Sequence, residues 1–217
     1  MAGRGSVTLR IAVGMATCGA GKTTTVGNLA LAAAERYGAP DTVLVVDTDQ
    51  QGQVVAWQQA AHQAGGKWPL TLTWLNSKLG DELDRQQRTR DLAAIVIDTS
   101  NNSFRLITDA FVAADVVVVT IQPTTLDLDR MSATLEAIEL AQAKNPAMRW
   151  GALISRYDVR SHDAQGARAA LEEAGVPVFE TQIPALKRIG HSFGSDTCAD
   201  TELYGALLDE ILRGGGA

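Results

Sequence analysis

The sequence predicts an α/β protein, a three-layer sandwich in which helices cover both faces of a mainly parallel central sheet. Two observations lead to this prediction. Short runs rich in Val and Ile alternate along the chain with helix-like stretches, which is the pattern of parallel strands joined by crossover helices. The runs are apolar almost without interruption, as expected where both faces of a sheet are buried. The 217 residues contain no long linker and no repeat, so a single domain, 1–217, is predicted.

The strands and helices follow from local patterns. Five β-branched runs predict strands at residues 9–13, 43–46, 94–97, 116–121 and 152–154, and two weaker runs suggest strands at 70–75 and 176–179. Helical periodicity predicts helices at residues 24–37, 127–144, 161–174 and 200–213. The first of these helices ends at Gly38, and the second ends at Asn145, which precedes a proline.

Composition and charge narrow the function classes. The formal net charge of −6 argues against a protein whose whole surface binds nucleic acid, although a local basic patch remains compatible with it. Apolar runs are shorter than the roughly 20 residues that cross a bilayer, and no signal-peptide pattern opens the chain. A cytoplasmic protein is therefore predicted. Cys18 and Cys198 lie far apart and lack metal-site spacing, so we interpret them as ordinary thiols.

The most specific motif lies between the first strand and the first helix. Residues 16–24 read ATCGAGKTT, close to the P-loop pattern of Gly, four residues and Gly-Lys-Ser/Thr, with Ala16 in place of the first glycine. Glycines let successive backbone N–H groups turn towards phosphate oxygens, and the following helix adds its positive end. Lys22 supplies a charge near the β- and γ-phosphates, and the Thr23 hydroxyl can bind Mg²⁺. The sequence therefore predicts a P-loop NTPase sandwich.

Carboxylates follow two other strands. Asp98 ends an apolar strand in the manner of a Walker B strand, and ligands of doubly wound sheets lie at the carboxyl ends of strands. Asp98 is therefore expected in the Mg²⁺ shell, although a strand-ending aspartate is common by itself. Asp47 and Asp49 stand at another strand end, and strand alternation would direct both towards one site.

Taken in order, these motifs resemble the ParA/MinD family of deviant-Walker ATPases. The matching segments are residues 19–25, 47–52, the Asp98 strand, 114–120, 122–127, 155–158 and 183–184, so the resemblance spans nearly the whole chain. The size is similar to that of small ParA-type plasmid-partition ATPases. What the resemblance implies is slow, partner-stimulated hydrolysis of ATP with Mg²⁺, an ATP-dependent homodimer, non-specific binding of nucleoid DNA, and a ParB-like or cargo adaptor protein.

The resemblance also implies site residues. Asp49 would position the attacking water, Asp47 would support it, and Lys22 would act on the phosphates. Thr23 and Asp98 would serve Mg²⁺. The residues implied in nucleotide binding are Cys18, Gly19, Ala20, Gly21, Lys22, Thr23 and Thr24, with Ile183 and Pro184 near the adenine.

One departure concerns the signature lysine of this family, which reaches across the dimer to the partner's phosphates. Its position is Thr17 here, and Cys18 replaces the neighbouring glycine. Two explanations stay open. Another cation may substitute, with Arg156, Arg160, Lys187 and Arg188 as candidates, or this member dimerises weakly or hydrolyses slowly. The substitution is favoured because the Asp49 segment is retained.

Other features leave alternatives open. Arg149, Arg156, Arg160, Arg168, Lys187 and Arg188 form either a DNA-facing patch or a scatter of solubilising charges. The apolar side of the 200–213 helix is interpreted as core rather than as a membrane anchor, because its polar side is acidic. Competing functions are the positioning of a protein cargo on the nucleoid, a metabolic P-loop enzyme, and a non-hydrolysing nucleotide switch. No second substrate pocket is evident for the metabolic enzyme.

Overall fold

The computed structural model describes residues 8–15, 19–100, 103–123 and 131–215. Its strands are β1 (Leu9–Met15), β2 (Val43–Asp47), β3 (Leu70–Thr73), β4 (Ala94–Asp98), β5 (Val116–Ile121), β6 (Arg149–Tyr157) and β7 (Ile183–Pro184). Its α-helices are α1 (Lys22–Tyr37), α2 (Gln53–Gln63), α3 (Leu79–Thr89), α4 (Phe104–Val112), α5 (Ser132–Lys144), α6 (Asp163–Glu173), α7 (Lys187–Gly190) and α8 (Thr201–Leu212). A 3₁₀ turn, Pro40–Thr42, precedes β2.

The strands form one sheet in the order β3-β2-β4-β1-β5-β6-β7. Every pairing between them is parallel, so the described sheet is wholly parallel rather than mainly so. The order brings the carboxyl ends of β2, β4 and β1 next to one another. Asp47 is paired in register with Asp98, and Asp98 with Val13.

Side chains that alternate along the strands build a core on each face of the sheet. On one face, Ile95 and Ile97 of β4 join α3, α4, α5 and α6, and on the other face Ala94 and Val96 join α1 and α8. This two-sided burial explains why the strands are apolar along their whole length. The predicted three-layer sandwich is therefore confirmed.

The weaker candidates at residues 70–75 and 176–179 had different outcomes. The first is β3, whereas residues 176–179 do not form a strand and the last strand is Ile183–Pro184 instead. Val178 makes an isolated parallel bridge to Ala152. Phe179 donates its N–H to Ala152. The ladder does not extend, because Pro177 has no N–H to donate on one side and the N–H groups of Glu180 and Thr181 donate to Glu210 on the other.

The C-terminal helix belongs to the core. Tyr204, Leu207, Leu208 and Ile211 of α8 are buried at 0 to 1% exposure, and they pack with α1 and the sheet. This burial agrees with the interpretation of the 200–213 helix as core. Among the helices that the structure describes, none has the length and apolar character needed to cross a bilayer. Of the helix predicted at residues 127–144, the structure shows Ser132–Lys144, and residues 124–130 lie outside the described part of the chain.

A glycine in α1 permits close contact with α2. A Cβ on Gly27 would lie 2.5 Å from Cζ3 of Trp57, which is 1% exposed. We expect Gly27→Ala to lower the free energy of unfolding by about 2 kcal/mol, because a buried indole must move. Urea unfolding followed by circular dichroism measures this change.

Gly205 of α8 provides the matched control, since a Cβ there meets no atom within 4 Å. Gly205→Ala should raise the free energy of unfolding by about 0.5 kcal/mol through helix propensity alone. If both variants are stabilised, the contact between Gly27 and Trp57 does not constrain the packing of these helices.

Candidate nucleotide site

The loop between β1 and α1 has the backbone geometry of an anion cradle. Gly19 and Gly21 have φ angles of 87° and 82°, a left-handed conformation that glycine adopts without strain. Gly21 is the residue before α1, and its carbonyl accepts the first-turn bond from the Thr25 N–H at 2.8 Å. Residues 19–23 therefore wrap the electropositive end of α1. The predicted contact of Cys18 and the departure at Thr17 lie outside the described residues.

Lys22, Thr23 and Asp98 meet at the carboxyl end of β4. Lys22 Nζ forms an ion pair with Asp98 Oδ1, and Thr23 Oγ1 donates to Asp98 Oδ2 at 2.9 Å. Lys22 is 4% exposed and Asp98 is 1% exposed. Burial raises the pKa of the Asp98 carboxyl, and the charge of Lys22 opposes that rise.

The chemistry of this cluster fits a magnesium ion. The Thr23 hydroxyl and the Asp98 carboxylate both offer oxygen atoms as metal ligands, and the two groups lie within hydrogen-bond distance of each other. Oxygen is the ligand atom that Mg²⁺ prefers. The lysine charge beside them suits a phosphate group. Thr23 and Asp98 would therefore hold Mg²⁺, as the sequence predicts.

Asp47 binds the backbone of the turn that follows β2. Its Oδ1 accepts from the Asp49 N–H at 2.9 Å, and its Oδ2 accepts from the Val54 N–H at 3.1 Å. Asp47 is fully buried, and burial raises its pKa while the N–H bonds lower it. The carboxylate thus fixes the turn and the start of α2.

Asp49 lies in the turn that Asp47 fixes. It is 7% exposed, and its Oδ1 accepts from the Gln51 N–H at 3.0 Å. Because β2 ends at Asp47, strand alternation does not determine the direction of the Asp49 side chain. The turn does so instead, through Asp47.

Hydroxyl groups connect the three strand ends. Thr48 Oγ1 donates to the Asp98 carbonyl at 2.9 Å and accepts from the Ser100 N–H at 3.0 Å, and Thr99 Oγ1 donates to the Val13 carbonyl at 2.9 Å. These buried bonds link the ends of β2, β4 and β1. The relative positions of the loop and its carboxylates are therefore set by the sheet.

Three side chains hold the loop from its other side, one from the residue after β5 and two from β6. Gln122 Nε2 and Arg156 Nη1 donate to the Gly19 carbonyl, and Ser155 Oγ donates to the Ala20 carbonyl at 2.7 Å. We call Gln122, Ser155 and Arg156 the loop clasp. Sequence reasoning did not name Gln122 and Ser155 as site residues, and it named Arg156 as a candidate substitute for the signature lysine and as part of a possible DNA-facing patch. The signals that could have pointed to them are their position at or just after the ends of successive strands and their place in the segments 122–127 and 155–158 that resemble the ParA/MinD family.

A cavity of about 350 Å³ opens beside the loop. Its lining includes Gly21 and Thr24, Ser155 and Arg156, and Ile183 and Pro184. A cavity of this size suits a small-molecule ligand such as a nucleoside. The residues predicted near the adenine thus lie beside the predicted phosphate residues.

Most of the candidate basic residues are engaged locally. Arg160 pairs with Asp158 and Arg188 with Asp200. Arg149 donates to the Ile211 and Gly215 carbonyls, and Arg168 donates to Glu172 and to the Phe179 carbonyl. These contacts give each residue a local role. Within the described residues, no cluster of His, Cys, Asp and Glu has the arrangement of a metal site.

Known proteins show the same organisation. The family model of the CobQ/CobB/MinD/ParA nucleotide binding domain matches residues 11–196. The maintenance of carboxysome distribution protein A of Gloeobacter kilaueensis is 33% identical over 171 residues, which cover 78% of this chain and 73% of that protein. The protein ParA of Rhizobium radiobacter is 27% identical over 179 residues, with coverage of 80% and 76%.

A solved structure has a fold similar to that of this chain. The cobyrinic acid a,c-diamide synthase of Mycobacterium smegmatis, with bound ATP analog and magnesium, aligns over 97% of this chain and 98% of its own with a TM-score of 0.71 and 22% identity. The predicted family and fold are confirmed, and the prediction of an ATPase agrees with the family match. The chain belongs to the CobQ/CobB/MinD/ParA nucleotide-binding family, as a P-loop ATPase.

Proposed function

We propose that this ATPase positions or segregates a large cargo, and that ATP binding drives two copies into a dimer that binds DNA without sequence preference. The observation that carries the proposal is that Asp47, whose strand position is in register with Asp98 of the Lys22–Asp98 cluster, fixes the buried turn that contains Asp49. A carboxylate fixed near a phosphate loop suits hydrolysis by an oriented water.

Each residue has a role in the proposed reaction. The loop N–H groups and Lys22 bind the phosphates, while Thr23 and Asp98 hold Mg²⁺. The ion, when bound, neutralises charge on the phosphate oxygens. Asp49 accepts a hydrogen bond from the attacking water and orients it. The loop clasp and the hydroxyl links keep these groups in place, which is the main contribution that phosphoryl transfer requires of a protein.

The relatives support a positioning role. One is a carboxysome distribution protein and another is ParA, so both a protein cargo and a plasmid or chromosome are compatible with the proposal. An adaptor on the cargo, ParB-like or otherwise, would stimulate hydrolysis and release the dimer. The protein would act in the cytoplasm, associated with the nucleoid.

The first test is the solution mass by light scattering, with ADP and with ATP plus Mg²⁺, of the wild type and of Asp49→Ala. Because Asp49 orients the water, its removal should slow hydrolysis at least about 100-fold while ATP still binds. We expect a monomer with ADP and a stable dimer of Asp49→Ala with ATP. Asp91→Ala, which removes an exposed carboxylate before β4, should behave as the wild type.

A solution mass that does not change with nucleotide would contradict the proposed ATP-triggered dimer, provided that calorimetry confirms ATP binding. DNA binding is tested next, by fluorescence anisotropy with random-sequence duplexes at two salt concentrations. The dimer should bind with an affinity that falls as salt rises, because non-specific binding rests on phosphate contacts. Equal binding by monomer and dimer would contradict the coupling to ATP.

A further inference from the structure

Arg156 has an unusual backbone. Its φ is 57°, and among the described residues other than glycine it shares a positive φ with Lys78 alone. The pairing of β6 with β7 shifts register at this point, since Ser155 pairs with Ile183 and Tyr157 with Pro184. A residue with a Cβ enters the left-handed region at an energetic cost, and such residues concentrate at functional sites. The bulge therefore indicates a constrained position for the Arg156 side chain.

The bulge directs the side chain of Arg156 over the phosphate loop. Nη1 donates to the Gly19 carbonyl. A Cβ built on Gly21 would lie 3.5 Å from Cδ and 3.6 Å from Cγ of Arg156, so the aliphatic stem covers Gly21. The guanidinium consequently stands at the rim of the loop that receives the phosphates.

The guanidinium is also available to a ligand. The Arg156 side chain is exposed and lines the cavity beside the loop. Arg160 and Arg188 are neutralised by Asp158 and Asp200, whereas Arg156 has no carboxylate partner among the residues that the structure describes. A guanidinium carries five N–H donors, and the bond to Gly19 uses one of them.

We propose that Arg156 binds the phosphate chain of the nucleotide in its own subunit and supplies the second positive charge of the site. Residues 16–24 contain a single cation, Lys22, which lies on the inner side of the loop against Asp98. Arg156 contacts the same loop at Gly19 and Gly21, and its planar guanidinium matches the oxygens of a phosphate group. The proposal rests on nucleotide binding and not on the proposed dimer or DNA binding.

The test compares Kd values for ATP, ADP and AMP, measured by calorimetry with Mg²⁺, for the wild type, Arg156→Asn and Arg156→Lys. Asparagine tolerates the left-handed conformation and removes the charge. Lysine keeps the charge but lacks the planar guanidinium. We expect Arg156→Asn to weaken ATP binding about 10- to 100-fold, as for loss of a charged hydrogen bond. The loss should be smaller for AMP, and Arg156→Lys should recover part of the affinity for ATP.

Arg88→Asn, which removes an exposed charge from the last turn of α3, is the matched control and should bind ATP as the wild type does. Arg156→Gly, which also accepts the backbone conformation, replaces Arg156→Asn if the latter does not fold. ATP affinity within twofold of the wild type, or an equal loss for AMP and ATP, overturns the proposal. Because the protein is expected to stay a monomer with ADP, the loss of ADP affinity in Arg156→Asn tests the proposal whether or not the ATP-dependent dimer forms.

Discussion

Lys22→Ala is expected to weaken ATP binding at least about 100-fold, because the charge that we propose to bind the phosphates is lost. The same change should lower the free energy of unfolding by about 3 kcal/mol at neutral pH. Asp98 is 1% exposed and forms its ion pair with Lys22, so removal of the lysine leaves a buried carboxylate without its counter-charge. Calorimetry with ATP and urea unfolding measure the two effects.

The pH dependence of Lys22→Ala separates its two effects. Burial already raises the pKa of Asp98, and Lys22 opposes that rise, so the pKa should rise further in the variant. A carboxyl whose pKa is higher in the folded than in the unfolded state opposes folding above that pKa, and the cost disappears as the pH falls. The stability deficit should therefore shrink on acidification.

Two further variants act as controls for Lys22. Lys22→Ala combined with Asp98→Asn should regain stability without regaining ATP affinity, because no charge is then left unpaired. Lys144→Ala, at the exposed end of α5, should change neither property. A deficit that is independent of pH, or that the double variant retains, would show that the ion pair does not determine this stability.

Asp47→Ala is expected to lower the free energy of unfolding by about 3 kcal/mol. Asp47 accepts from the N–H groups of Asp49 and Val54, and both would remain buried without an acceptor. ATP hydrolysis should fall as well, because Asp49 loses the contact that fixes its turn. Chemical unfolding and steady-state phosphate release measure these effects.

Asp49→Ala and Asp47→Asn are the matched comparisons for Asp47→Ala. Asp49 accepts from the Gln51 N–H through one oxygen, so Asp49→Ala should cost about 1 kcal/mol or less. Asp47→Asn keeps one acceptor oxygen and should be intermediate. If Asp47→Ala is no less stable than Asp49→Ala, the carboxylate of Asp47 does not hold the turn.

The parts of the fold that sequence predicted well are those fixed by burial on both sides. The runs at 43–46, 94–97 and 116–121 match β2, β4 and β5 to within one residue, because a fully buried strand must be apolar throughout. The helices α2, α3 and α4 were not predicted. In α3, the strongly polar sequence LGDELDRQQRT places only Leu79 and Leu83 in the core, and this pattern gives a weak signal.

The candidate site likewise has residues that the sequence predicted and residues that it did not. Lys22, Thr23 and Asp98 lie together as the loop motif and the strand end predict, because neighbouring parallel strands bring their carboxyl ends to one edge. The loop clasp could not be predicted, since its acceptors are the backbone carbonyls of Gly19 and Ala20. Such contacts depend on the register of β5 and β6 and leave no mark in residue type. The roles of Asp47 and Asp49 stay predictions.

The strand order also bears on how two copies could meet. The outermost strands are β3, with four residues, and β7, with two residues that include Pro184. Proline lacks the N–H that an added strand would need, and short edge strands offer few free backbone groups. The sheet margins are thus poor templates for a continuous intermolecular sheet. The dimer that we propose would then use surfaces built from side chains and loops, which could form and separate with the nucleotide, rather than a continuous sheet.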